Sequence, residues 1–217
     1  MRIVEPDFGR MARCGIPEVV YGESKSAKQL IEIAGKFLGK TGRVIMTKMD
    51  PKKAKAVMKA ARGAKSSYSE SGSVLVLKRK GFKIAGRGGA VGLITAGTSD
   101  IPVAEEARII LEELGCEAVT SYDVGIAGVH RIFPALERMK DAKAIIVVAG
   151  MEGALPSVIS GLVDVPVIGV PSSVGYGVGR GGWVALNSML ASCTPVAVVN
   201  IDNGYGAAVI AYQITRK

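Results

Sequence analysis

The 217-residue chain has few aromatic residues, 5% of the total, with one tryptophan and one histidine. Its three cysteines, Cys14, Cys116 and Cys193, show no CxxC spacing. With His130 as the lone histidine, that excludes the usual structural zinc patterns. An odd cysteine count and the lack of a signal peptide point to a reducing cytoplasm. No apolar run reaches the roughly 18 residues that span a bilayer. There is no GxxxxGK[ST] phosphate loop and no nucleophile elbow. GRGGAVG, at Gly86 to Gly92, is not a dinucleotide fingerprint, because its first glycines precede the expected strand.

What is present is apolar residue content of 48%, with 28 glycines, which favours a tightly packed α/β protein. The net charge of +9 is unevenly placed. Met1 to Gly89 holds 20 of the 28 lysines and arginines, whereas the remainder is slightly acidic. Nucleic acid, a phosphorylated small molecule, or ordinary solvated lysines each explain such a bias.

The most informative stretch is AVGLITAGTSDIP, Ala90 to Pro102. An apolar run ends in Gly97-Thr98-Ser99-Asp100, and Pro102 opens a helical pattern from Val103 to Leu114. Strand, small polar turn and helix start together present backbone N–H groups to an anion. The same alternation recurs to the end of the chain. Strands are expected at Glu117 to Tyr122, Ala144 to Ala149, Pro166 to Val170 and Val196 to Asn200. These runs lack polar alternation, as in a parallel sheet covered on both faces. The expectation is a doubly wound, flavodoxin-like three-layer α/β sheet over residues 87–217. A small basic α/β domain precedes it over residues 1–86, with the glycines around Arg87 to Gly89 as linker. Ligands in such sheets bind at the carboxyl ends of strands. Those ends read GTSD, DVGIAGVHR, GMEGALP, PSSVGYG and NIDNGYG.

Each polar group there has a bland reading beside a functional one. Ser99 and Asp100 suit helix capping as well as a ligand. His130 can shuttle protons, and Arg131 can grip a phosphate or carboxylate with two donors. Glu152 is a solvated loop acid or, if the pocket buries it, a base with a raised pKa or a metal ligand. Asp202 and Asn203 can ligate a metal, bind a ribose or form an Asx turn. Cys193 reads locally as a small buried hydrophobe, as do Cys14 and Cys116.

GTSDIPVAEEA, AGMEGALPSVISGLVDVPVIGVP and VNIDNGYGAAVIAYQI resemble the phosphoribosylaminoimidazole carboxylase (PurE) superfamily. Several features differ from its purine enzyme: GVHRIF, Met151-Glu152, the glycine-rich loop, Cys193 and the N-terminal domain. These resemble the LarB family, as does RMARCGIPEVVYGESKSAKQ near the N-terminus. The resemblance implies an enzyme of nickel-pincer nucleotide cofactor synthesis. Such an enzyme carboxylates the pyridinium ring of nicotinic acid adenine dinucleotide with CO2 or bicarbonate. It also hydrolyses the phosphoanhydride, giving pyridinium-3,5-biscarboxylic acid mononucleotide and AMP. In that mapping Cys193 is the nucleophile and Glu152 the base. His130 and Arg131 hold the phosphate side; Ser99 and Asp100 hold the ribose-phosphate. Thr98, Asp123, Gly150, Gly153, Ala154, Ser173 and Asn203 complete the substrate contacts, and Arg10, Arg13 and Lys25 reach the dinucleotide phosphates. Mg2+ or another divalent cation is implied, with unassigned ligands and no organic cofactor. A homo-oligomer, from dimer to octamer, is implied as well. The alternatives are an aminoimidazole ribonucleotide carboxylase or mutase and, from another class, a basic nucleic-acid-binding protein. The lysine-rich runs lack the interleaved aromatics that the last reading wants.

Overall fold

The computed structural model describes residues 5–84 and 88–216. The chain divides after Ile84 into two compact units. Of the expected linker, Arg87 lies outside the described residues.

The first unit contains α1 (Arg10–Cys14), β1 (Val19–Tyr21), α2 (Ala27–Lys40), β2 (Arg43–Thr47), α3 (Pro51–Ala60), β3 (Lys65–Ser69) and β4 (Val74–Lys78). Its sheet runs β1-β2-β4-β3, with β1 and β2 parallel and the other pairs antiparallel. Ser26 starts α2 through a reciprocal cap with Gln29. Asp50 accepts the Lys52 and Lys53 N–H groups to start α3, with Pro51 in the first helical position. Leu30, Phe37, Val57, Val44, Met46, Leu75 and Leu77 form its core.

The second unit contains β5 (Ala90–Thr95), α4 (Ile101–Glu113), β6 (Glu117–Ser121), α5 (Ile132–Arg138), β7 (Ile145–Ala149), α6 (Leu155–Ser160), β8 (Val167–Pro171), α7 (Trp183–Leu190), β9 (Val196–Val198) and α8 (Gly204–Thr215). All strand pairs are parallel, in the order β6-β5-β7-β8-β9. This is the doubly wound order whose switch point lies between β5 and β7. Every residue of β7 and β8 is buried, which is why neither strand alternates. α5, α6 and α7 share one apolar cluster with Ile94, Ile145 and Val147, while α4 packs on α8. Complete burial of a side chain such as Ile94 or Leu93 stabilises the fold by about 1.5–3 kcal/mol.

The differences from the sequence expectations are local. The segment after β6 begins as a 3-10 turn, Ile126–Arg131, before α5 takes over, and α5 stops at Arg138 instead of Lys140. α4 starts two residues early, because Pro102 at its second position has no N–H to satisfy. β9 is three residues long, since Asn200 already bends back to bond Ile201.

Candidate active site

The turns after β5, β6, β7 and β8 converge on a cavity of about 450 Å3. Ser99, Asp100, Gly150, Glu152 and Ala154 line it, and Tyr176 stands at its edge. The backbone here adopts unusual conformations. Asp123, Met151 and Asp202 have φ of 59°, 53° and 55°, and each sits just beyond a strand end. Non-glycine residues in this region carry strain that surrounding structure must support, and such residues cluster at functional sites.

Asp100 is the electrostatic centre of the turns. It is 5% exposed. Its carboxylate accepts the Gly97 N–H at 2.9 Å, and the Ser172 hydroxyl and Gly150 N–H donate to it as well. Burial nonetheless pushes its pKa above the usual aspartate value, and the nearby charge of Asp202 adds to the rise. Asp100 makes no side-chain cap on α4. It ties the ends of β5, β7 and β8 together, so its oxygens are largely committed to the protein and not offered to a ribose.

Gly150 and Gly153 are there for close approach. A Cβ at Gly150 would stand 2.2 Å from the Val174 carbonyl oxygen. One at Gly153, where φ is +63°, would stand 2.7 Å from the Ala185 carbonyl oxygen. Glu152 lines the cavity between them but is exposed. One chain therefore leaves this carboxylate open to solvent.

The other sequence-derived candidates fall around the cavity or away from it. Thr98 is exposed beside the first turn. Arg131 pairs with Asp123 at 3.0 Å, and His130 next to it is exposed; these three flank the cavity without lining it. The Ser173 N–H donates to Asp202 Oδ1 at 2.8 Å, which fastens the loop after β8 to the turn after β9. Asn203 caps α8 by accepting the Gly206 N–H at 2.8 Å, which engages its side-chain oxygen at the helix start. Arg10 and Arg13 lie in α1 of the first unit, where Arg13 pairs with Asp7.

Cys193 departs most from expectation. It is exposed, between α7 and the start of β9, and does not line the cavity. Its neighbours Ser192 and Thr194 bond to Ser157 of α6. A residue that precedes a parallel strand lies toward the amino edge of the sheet, whereas the cavity lies at the carboxyl edge. One chain therefore does not bring Cys193 and Glu152 together.

Ser172 and Tyr176 are site residues that the sequence reading passed over. Ser172 is fully buried as the hydroxyl partner of Asp100. Tyr176 is an aromatic ring between two glycines at the cavity edge, 78% exposed. The second had a signal in the sequence: a large ring in a glycine loop has no core to fill.

Residues 90–217 match the family model described as AIR carboxylase. The fold is thus that of the PurE/AIR carboxylase superfamily, and the chain belongs to it. Residues 1–79 match the model of the LarB/PurE-like N-terminal domain, and the two matches together place the chain in the LarB family of that superfamily. An uncharacterised protein of Methanocaldococcus jannaschii is 49% identical over 216 residues, covering 97% of this chain and 83% of that protein. The N5-carboxyaminoimidazole ribonucleotide mutase of Pyrococcus horikoshii is 35% identical over 130 residues, 57% of this chain and 71% of its own. The corresponding mutase of Thermotoga maritima is 32% identical over 130 residues, 57% of this chain and 73% of its own. The chain is therefore of a carboxylase/mutase type of enzyme. Among the described residues, no helix is long and apolar enough to cross a membrane.

Proposed function

We propose that this protein carboxylates the pyridinium ring of nicotinic acid adenine dinucleotide and hydrolyses its phosphoanhydride. The observation that carries the reading is the pairing of a LarB-type N-terminal domain with Glu152 at the edge of the strand-end cavity. A pyridinium ring is electron-poor and does not attack CO2. Addition of the Cys193 thiolate to a ring carbon gives a neutral dihydropyridine whose neighbouring carbon is nucleophilic. That carbon forms the new C–C bond to CO2. Glu152 then takes the ring proton, the C–S electron pair returns to sulfur, and aromaticity is restored. Water attacks the adenylate phosphorus, releasing AMP and the biscarboxylated mononucleotide. Arg131 and His130, on the cavity flank, suit the phosphate side.

The position of Cys193 makes this reading oligomeric: the thiol comes from a second copy of the chain. The surface of α5, α6 and α7 supports it. Phe133, Leu162, Trp183 and Leu190 are exposed there, and the last two are each 65% exposed on α7, which leads directly to Cys193. Mg2+ enters the reading as a companion of the substrate phosphates. Among the described residues no group of three or more His, Cys, Asp or Glu side chains converges as a metal cage. Asp100 is already tied to three donors, which leaves Glu152 as the cavity carboxylate facing a ligand.

The test is incubation with the dinucleotide, bicarbonate and Mg2+, with products read by mass spectrometry. Wild type should give AMP and a mononucleotide heavier than nicotinic acid mononucleotide by one carboxyl group. Cys193→Ala and Glu152→Gln should each be inactive, and mixed oligomers of the two should regain activity. A wild type that makes no such product sinks the reading. The second reading, carboxylation or mutation of an aminoimidazole ribonucleotide, rests on the mutase relatives and leaves Cys193 idle. Full activity of Cys193→Ala on that substrate would establish it.

A further inference from the structure

The segment between α7 and β9, residues 191–195, carries Cys193 and is closed by side chains. The turns after α5 and α6 close on backbone bonds, such as Ala142 N–H to the Met139 carbonyl and Leu162 N–H to the Ile159 carbonyl. Around Cys193, Ser157 Oγ of α6 donates to Ser192 Oγ at 2.8 Å. Thr194 Oγ1 donates back to the Ser157 carbonyl at 3.1 Å. The Ser192 and Thr194 hydroxyls lie 2.9 Å apart, and the Thr194 N–H reaches Ser192 Oγ at 3.1 Å. Beyond the turn, Ser160 Oγ donates to the Pro195 carbonyl at 2.9 Å. Ser157 and Ser160 are three apart on α6 and share its face.

The direction of each bond follows from the protons available. A hydroxyl has one to give. Ser157 gives its own to Ser192, and Thr194 gives its own to the Ser157 carbonyl. In the remaining contact Ser192 is therefore the donor and Thr194 the acceptor. The three hydroxyls run head to tail and end on the residue where they began, so that each bond strengthens the next. None of these protons is left for the Cys193 thiol. The ring holds the turn and not the sulfur.

An ordinary local turn explains only part of this. A serine that accepts the N–H two residues on is a common turn, and it accounts for the bond within the segment. It does not account for the tie to Ser157, 35 residues away in sequence. Burial follows the ring: Ser192 and Thr194 are half-buried against α6, and Cys193 between them is exposed. We infer that Ser157, Ser192 and Thr194 are positioning residues for the Cys193 thiol, holding it outward in one orientation for the cavity of a second copy. This role rests on the thiol chemistry proposed above. A thiolate adds to a ring carbon from about 3–3.5 Å, and a displacement of about an ångström costs about a hundredfold in rate. An exposed cysteine on an unpinned turn does not keep that tolerance.

Thr194→Val keeps the side-chain shape and loses the hydroxyl, whereas Thr194→Ser keeps the hydroxyl. Both are made in a Cys14→Ser background, where a nitroxide thiol reagent reports Cys193 because Cys116 is buried. In Thr194→Val the electron paramagnetic resonance spectrum of the label should shift to a more mobile component. Unlabelled Thr194→Val should lose about ten- to a hundredfold in kcat on nicotinic acid adenine dinucleotide, with KM within about twofold. Thr194→Ser should keep the less mobile component and a kcat within about threefold of the background protein. An unchanged spectrum in Thr194→Val would overturn the role, as would a mobile label with undiminished kcat. So would a Thr194→Ser protein that behaves as Thr194→Val does. A background protein without turnover removes the proposed activity and this role together. An active one whose label and kcat both ignore Thr194→Val removes the role alone.

Discussion

Alanine at Gly150 probes the site at its tightest contact. The new Cβ would lie 2.2 Å from the Val174 carbonyl oxygen, 3.3 Å from the carbonyl carbon and 3.5 Å from Asp100 Oδ1. The first of these is a backbone atom, so no side-chain rotation relieves it. The Val174 loop must move by about an ångström to reach ordinary contact. That carbonyl also accepts the Met151 N–H at 3.3 Å, a bond that such a movement gives up. Overpacking costs about 1–3 kcal/mol and a lost hydrogen bond about 1 kcal/mol more. The expected loss is therefore about 2–4 kcal/mol, which for a chain of this size lowers the melting midpoint by roughly 5–15 °C. Calorimetry reads this directly, with Gly35→Ala as the companion. Gly35 lies inside α2 with nothing within 4 Å of its would-be Cβ, so alanine there should stabilise by about 0.5–1 kcal/mol. Ligand affinity should fall with Gly150→Ala, because the displaced loop carries Tyr176 at the cavity edge. A Gly150→Ala protein that melts with the wild type would refute this reasoning, since the loops after β7 and β8 would not then be in contact.

Burial raises the Asp100 pKa, so its carboxyl stabilises the fold fully only below the ordinary aspartate value. That contribution is lost as pH rises through the raised value, and the ionised form is then held at a cost. Asp100→Asn should therefore gain stability relative to wild type as pH increases across this window, measured by urea unfolding at successive pH values. A difference independent of pH would mean that the carboxyl is not perturbed. The thiols provide a separate check. Cys116 is buried, which pushes its thiol pKa up, whereas Cys14 is exposed. Disulfide-reagent labelling of the native protein should show a slow class that Cys116→Ser removes without touching the fast one; loss of fast signal would contradict the burial.

The strand–turn–helix rhythm of the second unit was legible because its strands are buried on both faces and its turns are small and polar. β3 was less so. Its sequence KSSYS has no apolar alternation, and only pairing with β4, apolar from Val74 to Leu77, makes it a strand. In the site, the sequence indicated which turns converge but not how each side chain is used once there. Asp100 and Asn203 read equally as local caps or turns and as ligand contacts; backbone N–H groups engage the first, and the start of α8 engages the second. That competition is local and geometric, and residue types alone do not decide it. Cys193 is a different matter, because its place away from the cavity follows from chain order alone. In an alternating parallel sheet, a turn that leaves a strand lies at the carboxyl edge, and a turn that enters one lies at the amino edge. Ser99, Glu152 and Ser173 sit in turns that leave strands, whereas Cys193 comes after α7 and enters β9. A family pattern that joins Cys193 to Glu152 in one reaction therefore joins two opposite edges of the same sheet. Under the proposed activity, a second copy of the chain packed through the exposed side of α7 would reconcile that pattern with this topology.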